Sequence, residues 1–255
     1  MRLMHVTALV AGGACGPGLE LARQLVARDN TVIVLDASET AVDAACEQLP
    51  DLHAYVCELG NRSSLARVCQ EIASDFPHLN VLINAVGPMR NLDLTTGGQE
   101  RDLTDDVDVC LTAPIQLTAS LVPRLLQSRS AAIINITSCH GAGGLAAAPA
   151  YSASKAGLTA FTLALRAQLE GSSIEVFEVA GLAQPWDAPD RSAVTDAANQ
   201  TLRRHVARAL RRIEAGRPLI QVGRAAQAGW IERIAQSRAR RISNAETYAR
   251  MATAQ

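Results

Sequence analysis

The sequence predicts an α/β fold with one doubly wound, parallel, seven-stranded sheet flanked by helices on both faces. Short β-branched runs alternate with longer Ala/Leu-rich stretches of helical period, and strands separated by helices imply right-handed βαβ units. Each run is apolar nearly throughout, as expected for a strand covered on both sides. No linker, repeat or low-complexity block divides the chain, so residues 1–255 read as a single domain.

The first strand is expected over 6–10 (Val-Thr-Ala-Leu-Val), followed by a helix over 17–28 that opens on Pro17, a residue well tolerated in a first helical turn. The run Thr-Val-Ile-Val-Leu at 31–35 is the second strand, with a helix at 39–49. A third strand at 52–56 leads to a helix at 63–76, and a fourth at 81–83 to a long helix at 101–127. The fifth strand, at 132–136, is followed by a helix at 151–170, and the sixth, at 174–179, by one at 193–215. The last strand lies at 218–222, with a final helix at 225–238. Residues 181–191 and the chain end show no clear period. We assign 181–200 to a substrate loop and 240–255 to a C-terminal tail.

A chain of 255 residues is long enough to bury a large core. With 48% hydrophobic and only 3% aromatic residues, that core must be built from Ala, Val, Leu and Ile. The net charge of −1 gives no argument for nucleic acid as a partner. The charge is uneven: residues 1–190 hold 11 basic and 21 acidic side chains, and residues 191–255 hold 13 and 4. The basic end is either a solvated arginine-rich helical surface or a face for an acidic ligand or neighbouring subunit. The six cysteines show neither a C-x-x-C pair nor zinc-like histidine spacing, so no metal is expected and free thiols in a reducing, cytoplasmic compartment are. No signal peptide is read at the start, and no apolar run approaches the roughly 18 residues of a membrane span.

Between the first strand and its helix lies Ala11-Gly12-Gly13-Ala14-Cys15-Gly16-Pro17-Gly18. Gly12, Gly16 and Gly18 let the backbone turn tightly and approach a pyrophosphate, which the helix N-terminus favours electrostatically. Asp36 closes the second strand 18 residues after Gly18. A carboxylate there accepts hydrogen bonds from the adenosine ribose and repels a 2′-phosphate. Neither Cys15 nor Ala37 is a basic residue that would clamp such a phosphate. These features predict a Rossmann-type dinucleotide site with NAD preferred over NADP. Pro17 removes one N–H from the phosphate cradle.

The fifth strand runs into Asn135-Ile136-Thr137-Ser138-Cys139-His140-Gly141, and Tyr151-Ser152-Ala153-Ser154-Lys155 follows. At i and i+4 on a helix, Tyr151 and Lys155 share a face. A free tyrosine has a pKa of about 10, too high for a base at neutral pH. A nearby ammonium favours the phenolate, which can then exchange a proton with a substrate oxygen, and a serine hydroxyl can hold that oxygen in place. Lys155 is the only lysine among 24 basic residues. Arginine serves wherever positive charge alone is needed, so the solitary compact ammonium points to chemistry that a planar guanidinium does not perform.

Taken together, these motifs resemble the short-chain dehydrogenase/reductase family over nearly the whole chain. The resemblance implies a Ser138–Tyr151–Lys155 catalytic triad, spaced 13 residues from Ser to Tyr as is typical, with Lys155 also binding the nicotinamide ribose. The family's T-G-x-x-x-G-x-G appears as Ala11 to Gly18, with Ala11 replacing Thr. The resemblance places Glu58, with Leu59, near the adenine, and Asn84-Ala85-Val86-Gly87 at the family's N-N-A-G, so Asn84 and Gly87 join the cofactor-binding set. It implies hydride transfer between NAD(H) and a carbonyl or secondary alcohol on a small molecule. It also implies a homodimer or homotetramer paired through the helices at 151–170 and 101–127, where Ala156, Gly157, Ala160 and Ala164 allow close contact.

Three further features depart from the family. Its fourth catalytic residue, an Asn that bends its helix and whose main-chain carbonyl holds a water linked to the Lys, aligns with Cys110. The Pro-Gly after the sixth strand is replaced by Gly181-Leu182, and the Thr expected near Trp186 is absent. The changes at Pro17, Cys110 and Gly181-Leu182 motivate one rival reading, a weak or inactive dinucleotide-binding sensor or structural subunit; a second rival is a dehydratase or isomerase on the same fold. His140 either touches substrate or is a loop histidine without a role. Arg90 either faces a carboxylate substrate or is a solvated loop arginine. Trp186 either covers the substrate or packs.

Overall fold

The computed structural model describes residues 1–182 and 196–223. Seven strands form one sheet: β1 (Thr7–Ala11), β2 (Thr31–Asp36), β3 (Leu52–Val56), β4 (Leu79–Asn84), β5 (Ala131–Thr137), β6 (Ile174–Ala180) and β7 (Leu219–Gln221). Their order is β3-β2-β1-β4-β5-β6-β7, and every pairing is parallel. The chain winds outward from β1 through β2 to β3, then returns to the other side of β1 and winds away through β4 to β7. The strand order therefore reverses between β1 and β4, and the crevice above their C-terminal ends is where such a sheet takes a ligand.

The apolar strands are explained by two cores. One face packs the sheet against α1 (Gly16–Val26), α2 (Glu39–Gln48) and α8 (Asp196–Glu214) through Leu21, Leu25, Val42, Val206 and Leu210. The other packs it against α3 (Arg62–Asp75), α5 (Ala113–Leu125) and α7 (Pro149–Gln168) through Leu65, Ile72, Leu117, Leu121 and Leu165. Ser38 and Asn61 open α2 and α3 as N-caps, their side chains accepting from the amides of Ala41 and Ser64. Among the described residues Phe177 is the sole aromatic in either buried set, consistent with the aliphatic core expected from composition.

The expected strands are all present, longer or shorter by one or two residues at their ends. The expected single helix over 101–127 is not. It divides into α4 (Glu100–Val107), a π-helical turn (Asp108–Thr112) and α5. Pro114 lacks an N–H, so it cannot donate to the carbonyl of Cys110 four residues earlier, and the α-helical ladder breaks there. A short helix, α6 (His140–Gly143), was not expected; the helix expected at 225–238 and the 240–255 tail lie outside the described residues, as does most of the 181–200 loop. No described helix is long and apolar enough to cross a membrane.

Candidate active site

At the nucleotide end, the turn after β1 is held by close backbone packing. Gly12 has φ +73°, and a Cβ there would stand 2.9 Å from the Val86 backbone. Gly18 lies against the carbonyl of Gly12, and Gly13 against the carbonyl of Val10 and the side chain of Val34, so neither tolerates a side chain. Gly13 was not singled out from the sequence, because its role is packing against β2. The amide of Gly12 donates to the Leu35 carbonyl (2.7 Å) and that of Ala85 to the Ala11 carbonyl (2.9 Å), drawing the turn, β2 and the segment after β4 together.

The N-terminus of α1 has no side-chain cap and no acidic residue in its first turn. Its opening amides and partial positive charge are therefore presented to an anion. Asp36 sits beside this turn, its carboxylate accepting from the amides of Ala14 (3.2 Å) and Ala37 (2.9 Å). The Cys57 amide donates to the Asp36 carbonyl, which places exposed Glu58 and buried Leu59 next to the same strand end. This arrangement of uncapped helix, tight glycine turn and strand-end carboxylate fits a nicotinamide dinucleotide.

Asn84, expected in the cofactor-binding set, is the last residue of β4. It is fully buried, donating to Asn135 Oδ1 (2.8 Å) and Thr118 Oγ1 (3.4 Å). Asn135 in turn donates to Thr162 Oγ1 on α7 (2.8 Å). The pair stitches β4 and β5 to the helix below the cleft.

At the chemical end, α7 carries Tyr151 and Lys155 on its inward face, and both are buried. Lys155 Nζ donates to the carbonyls of Val86 (2.7 Å) and Ile136 (3.0 Å), one from each strand end that flanks the cleft. Nζ lies 5.6 Å from the centre of the Tyr151 ring. Ser138, immediately after β5, is buried, and its Oγ accepts from the His140 amide (3.2 Å). That contact gives His140 a main-chain part in orienting the serine. Gly87 borders both α7 side chains: a Cβ there would stand 3.0 Å from Lys155 Nζ and 3.4 Å from Tyr151 Cε2. Gly141, which the sequence did not mark, lies 2.8 Å (measured to a Cβ) from the Ala156 backbone amide and lets α6 lie on α7.

Cys110 is buried with Ala148 and Tyr151, and Met89 and Leu145 pack on that cluster. Its Sγ donates to the Pro88 carbonyl (3.5 Å). Position 110 thus lies beside Tyr151 at the centre of the π turn, without an asparagine.

Arg90 lies in the loop after β4, partly exposed. It pairs with Asp102 (3.3 Å), Asp105 (4.0 Å) and Asp106 (3.4 Å) on α4. Those partners lie 12 or more residues away, and the α4 turn that gathers them was not readable. Asp106 is fully buried, and burial raises its carboxyl pKa, Arg90 opposing and Asp102 and Asp105 reinforcing the rise. Trp186 lies outside the described residues. Among the described residues no cluster of His, Cys, Asp or Glu could hold a metal ion.

The sequence profile of the short chain dehydrogenase family matches residues 6–183. The uncharacterized oxidoreductase DltE of Bacillus subtilis (strain 168) is 36% identical over 181 residues, 71% of this chain and 72% of that one. The 3-oxoacyl-[acyl-carrier-protein] reductase FabG of Thermotoga maritima is 28% identical over 184 residues, 71% of this chain and 74% of that one. A crystal structure of a variant actinorhodin polyketide ketoreductase with NADPH superposes with a TM-score of 0.74 at 22% identity, covering 87% of this chain and 97% of that one, a likeness of fold. The chain belongs to the short chain dehydrogenase family of oxidoreductases.

Proposed function

We propose that the protein transfers a hydride between NAD(H) and a carbonyl or secondary alcohol, with Ser138, Tyr151 and Lys155 as its catalytic residues. The observation that carries this reading is the placement of the chain's solitary lysine, buried beside Tyr151 and fixed to the carbonyls of Val86 and Ile136. A bound nicotinamide dinucleotide supplies the hydride. The residues of the chain do the rest. The Lys155 ammonium favours the phenolate of Tyr151, which exchanges a proton with the substrate oxygen. Ser138 Oγ, oriented by the His140 amide, holds that oxygen. Burial of all three keeps water from competing for the proton.

Asp36 supports NAD(H) as the preferred form, since a carboxylate beside the adenosine ribose repels a 2′-phosphate. The substrate is a small organic carbonyl. Self-association through α7 belongs to the same reading.

The test is absorbance at the reduced nicotinamide band with NADH or NADPH and a panel of an aliphatic aldehyde, a cyclic ketone and a β-ketothioester. Turnover by the native protein and its loss in Tyr151→Phe, with dinucleotide affinity retained, is the expected result. Dinucleotide binding without turnover on any of these carbonyls would replace this reading with that of a sensor.

A further inference from the structure

A central strand covered on both faces is expected to be apolar, and β6 reads Ile-Glu-Val-Phe-Glu-Val-Ala. Glu175 is exposed, but Glu178 is 1% exposed. A carboxylate is not retained at such depth without partners. Its Oε1 accepts from Thr137 Oγ1 (2.8 Å) and from Thr159 Oγ1 (2.8 Å). Burial pushes the carboxyl pKa up, and the two hydroxyls, with attraction from Arg166, work against that rise.

The positions of those two threonines give the contact its meaning. Thr137 is the last residue of β5 and is followed directly by Ser138. Thr159 stands one helical turn beyond Lys155 and two beyond Tyr151, on the same side of α7. Glu178 therefore joins the strand that presents the serine to the helix that presents the tyrosine and lysine. Thr162, three residues further along, takes the Asn135 amide, and Lys155 takes the Ile136 carbonyl. The inward face of α7 is thus fixed to the ends of β4, β5 and β6 by directional bonds, where apolar packing alone would allow sliding.

We infer that Glu178 is a positioning residue: through Thr137 and Thr159 it sets the separation of Ser138 from Tyr151 and Lys155. The inference rests on the function proposed above. A bridge of two hydroxyls on one carboxylate oxygen fixes β5 along the helix axis and holds Ser138 in register with the proton donor. A shift of about 1 Å between such groups can cost a hundredfold in rate.

The test sets hydroxyl against shape. Thr137→Val and Thr159→Val keep the shape and lose the bond, whereas Thr137→Ser and Thr159→Ser keep the bond and lose a methyl. We expect each valine variant to lower kcat by about tenfold, with NADH affinity and melting temperature close to native. Each serine variant should stay near the native rate, and Glu178→Gln, which keeps an accepting oxygen, should lie between the native protein and Glu178→Ala. Native kcat in both valine variants, alongside a Tyr151→Phe variant that is inactive, overturns the positioning role and leaves the proposed function standing. Loss of kcat in step with melting temperature and NADH affinity, or loss in the serine variants as large as in the valine ones, assigns the residues to packing and also overturns it. Full activity in Tyr151→Phe removes both readings.

Discussion

Gly87 lies against Lys155 so closely that a Cβ on it would stand 3.0 Å from Nζ and 3.1 Å from Cε. Nζ has little freedom to yield, because it is bonded to the carbonyls of Val86 and Ile136 at 2.7 and 3.0 Å. Gly87→Ala should therefore displace the ammonium and lower kcat/KM by about tenfold or more. Its φ is not in the left-handed region, so the fold should persist, as circular dichroism would report. Native activity in this variant would show that the lysine tolerates the shift.

Cofactor choice tests Asp36. The carboxylate holds the amides of Ala14 and Ala37, so truncation to alanine loosens the turn as well as removing charge. Asp36→Asn removes the charge and keeps one of the two accepting oxygens, so it disturbs the turn less than alanine does. Fluorescence titration should show native protein binding NADH more tightly than NADPH, and Asp36→Asn narrowing the ratio by on the order of tenfold. Tighter NADPH binding by the native protein would sink the argument.

The β strands were legible because each is apolar on both faces, and that pattern does not depend on distant partners. The Tyr151–Lys155 pair was legible because helical spacing alone puts the two on one face. What was not legible depends on contacts across the fold. Arg90 is consumed by Asp102, Asp105 and Asp106 only once α4 folds beside its loop. Asn84 turns into the core because Asn135 and Thr118 wait there. Glu178 carries no local signal, because its two threonine partners come from β5 and α7. Gly157 read as a small residue for contact between subunits; within the chain, its missing side chain makes room for Leu111 of the π turn.

A second set of small residues on α7 faces outward. Ala153, Ala156, Ala160, Ala164 and Ala167 are exposed and recur every three or four residues, a stripe that allows close approach of a second helix. Light scattering of the native protein should give a symmetric oligomer, and Ala160→Arg should shift it toward the 27.0 kDa chain. A native monomer at micromolar concentration would count against this.

Asp106 gives a pH signature. It is fully buried, neither oxygen accepts a hydrogen bond from the described residues, and burial raises its pKa above the ordinary carboxylate value of 3.8 despite Arg90. Between the unfolded and folded values the native state binds the extra proton, so this group's contribution to stability is fully present below 3.8 and is lost as pH rises through the folded pKa. Asp106→Asn lacks that dependence. The melting temperature of the native protein relative to the variant should therefore rise as pH is lowered from about 7 to about 4. A difference that stays flat across that range would mean that Arg90 cancels the effect of burial.

Cys110 decides whether the family's asparagine is needed for its side chain or for its backbone. The helix distortion at this point does not require the asparagine: the π turn Asp108–Thr112 is present with cysteine at its centre. Pro114 supplies a cause, since it has no N–H to give to the carbonyl of residue 110. If proton relay uses that carbonyl, the native protein turns over, and Cys110→Asn changes its rate by only a few-fold. The sulfur is packed with Ala148 and Tyr151 and donates to Pro88, so the larger amide must also find room and partners in a buried cluster. That should lower the melting temperature without improving catalysis. The opposite outcome has a different signature. If the side-chain amide itself carries the relay, the native protein is nearly inactive and Cys110→Asn restores turnover. A gain of a hundredfold, equivalent to about 2.7 kcal/mol of barrier, would mark the natural protein as a dinucleotide binder that has given up catalysis. The burial of Ser138 with Tyr151 and Lys155 favours the backbone case, because binding a dinucleotide alone does not call for a serine hydroxyl held at the substrate end of the cleft.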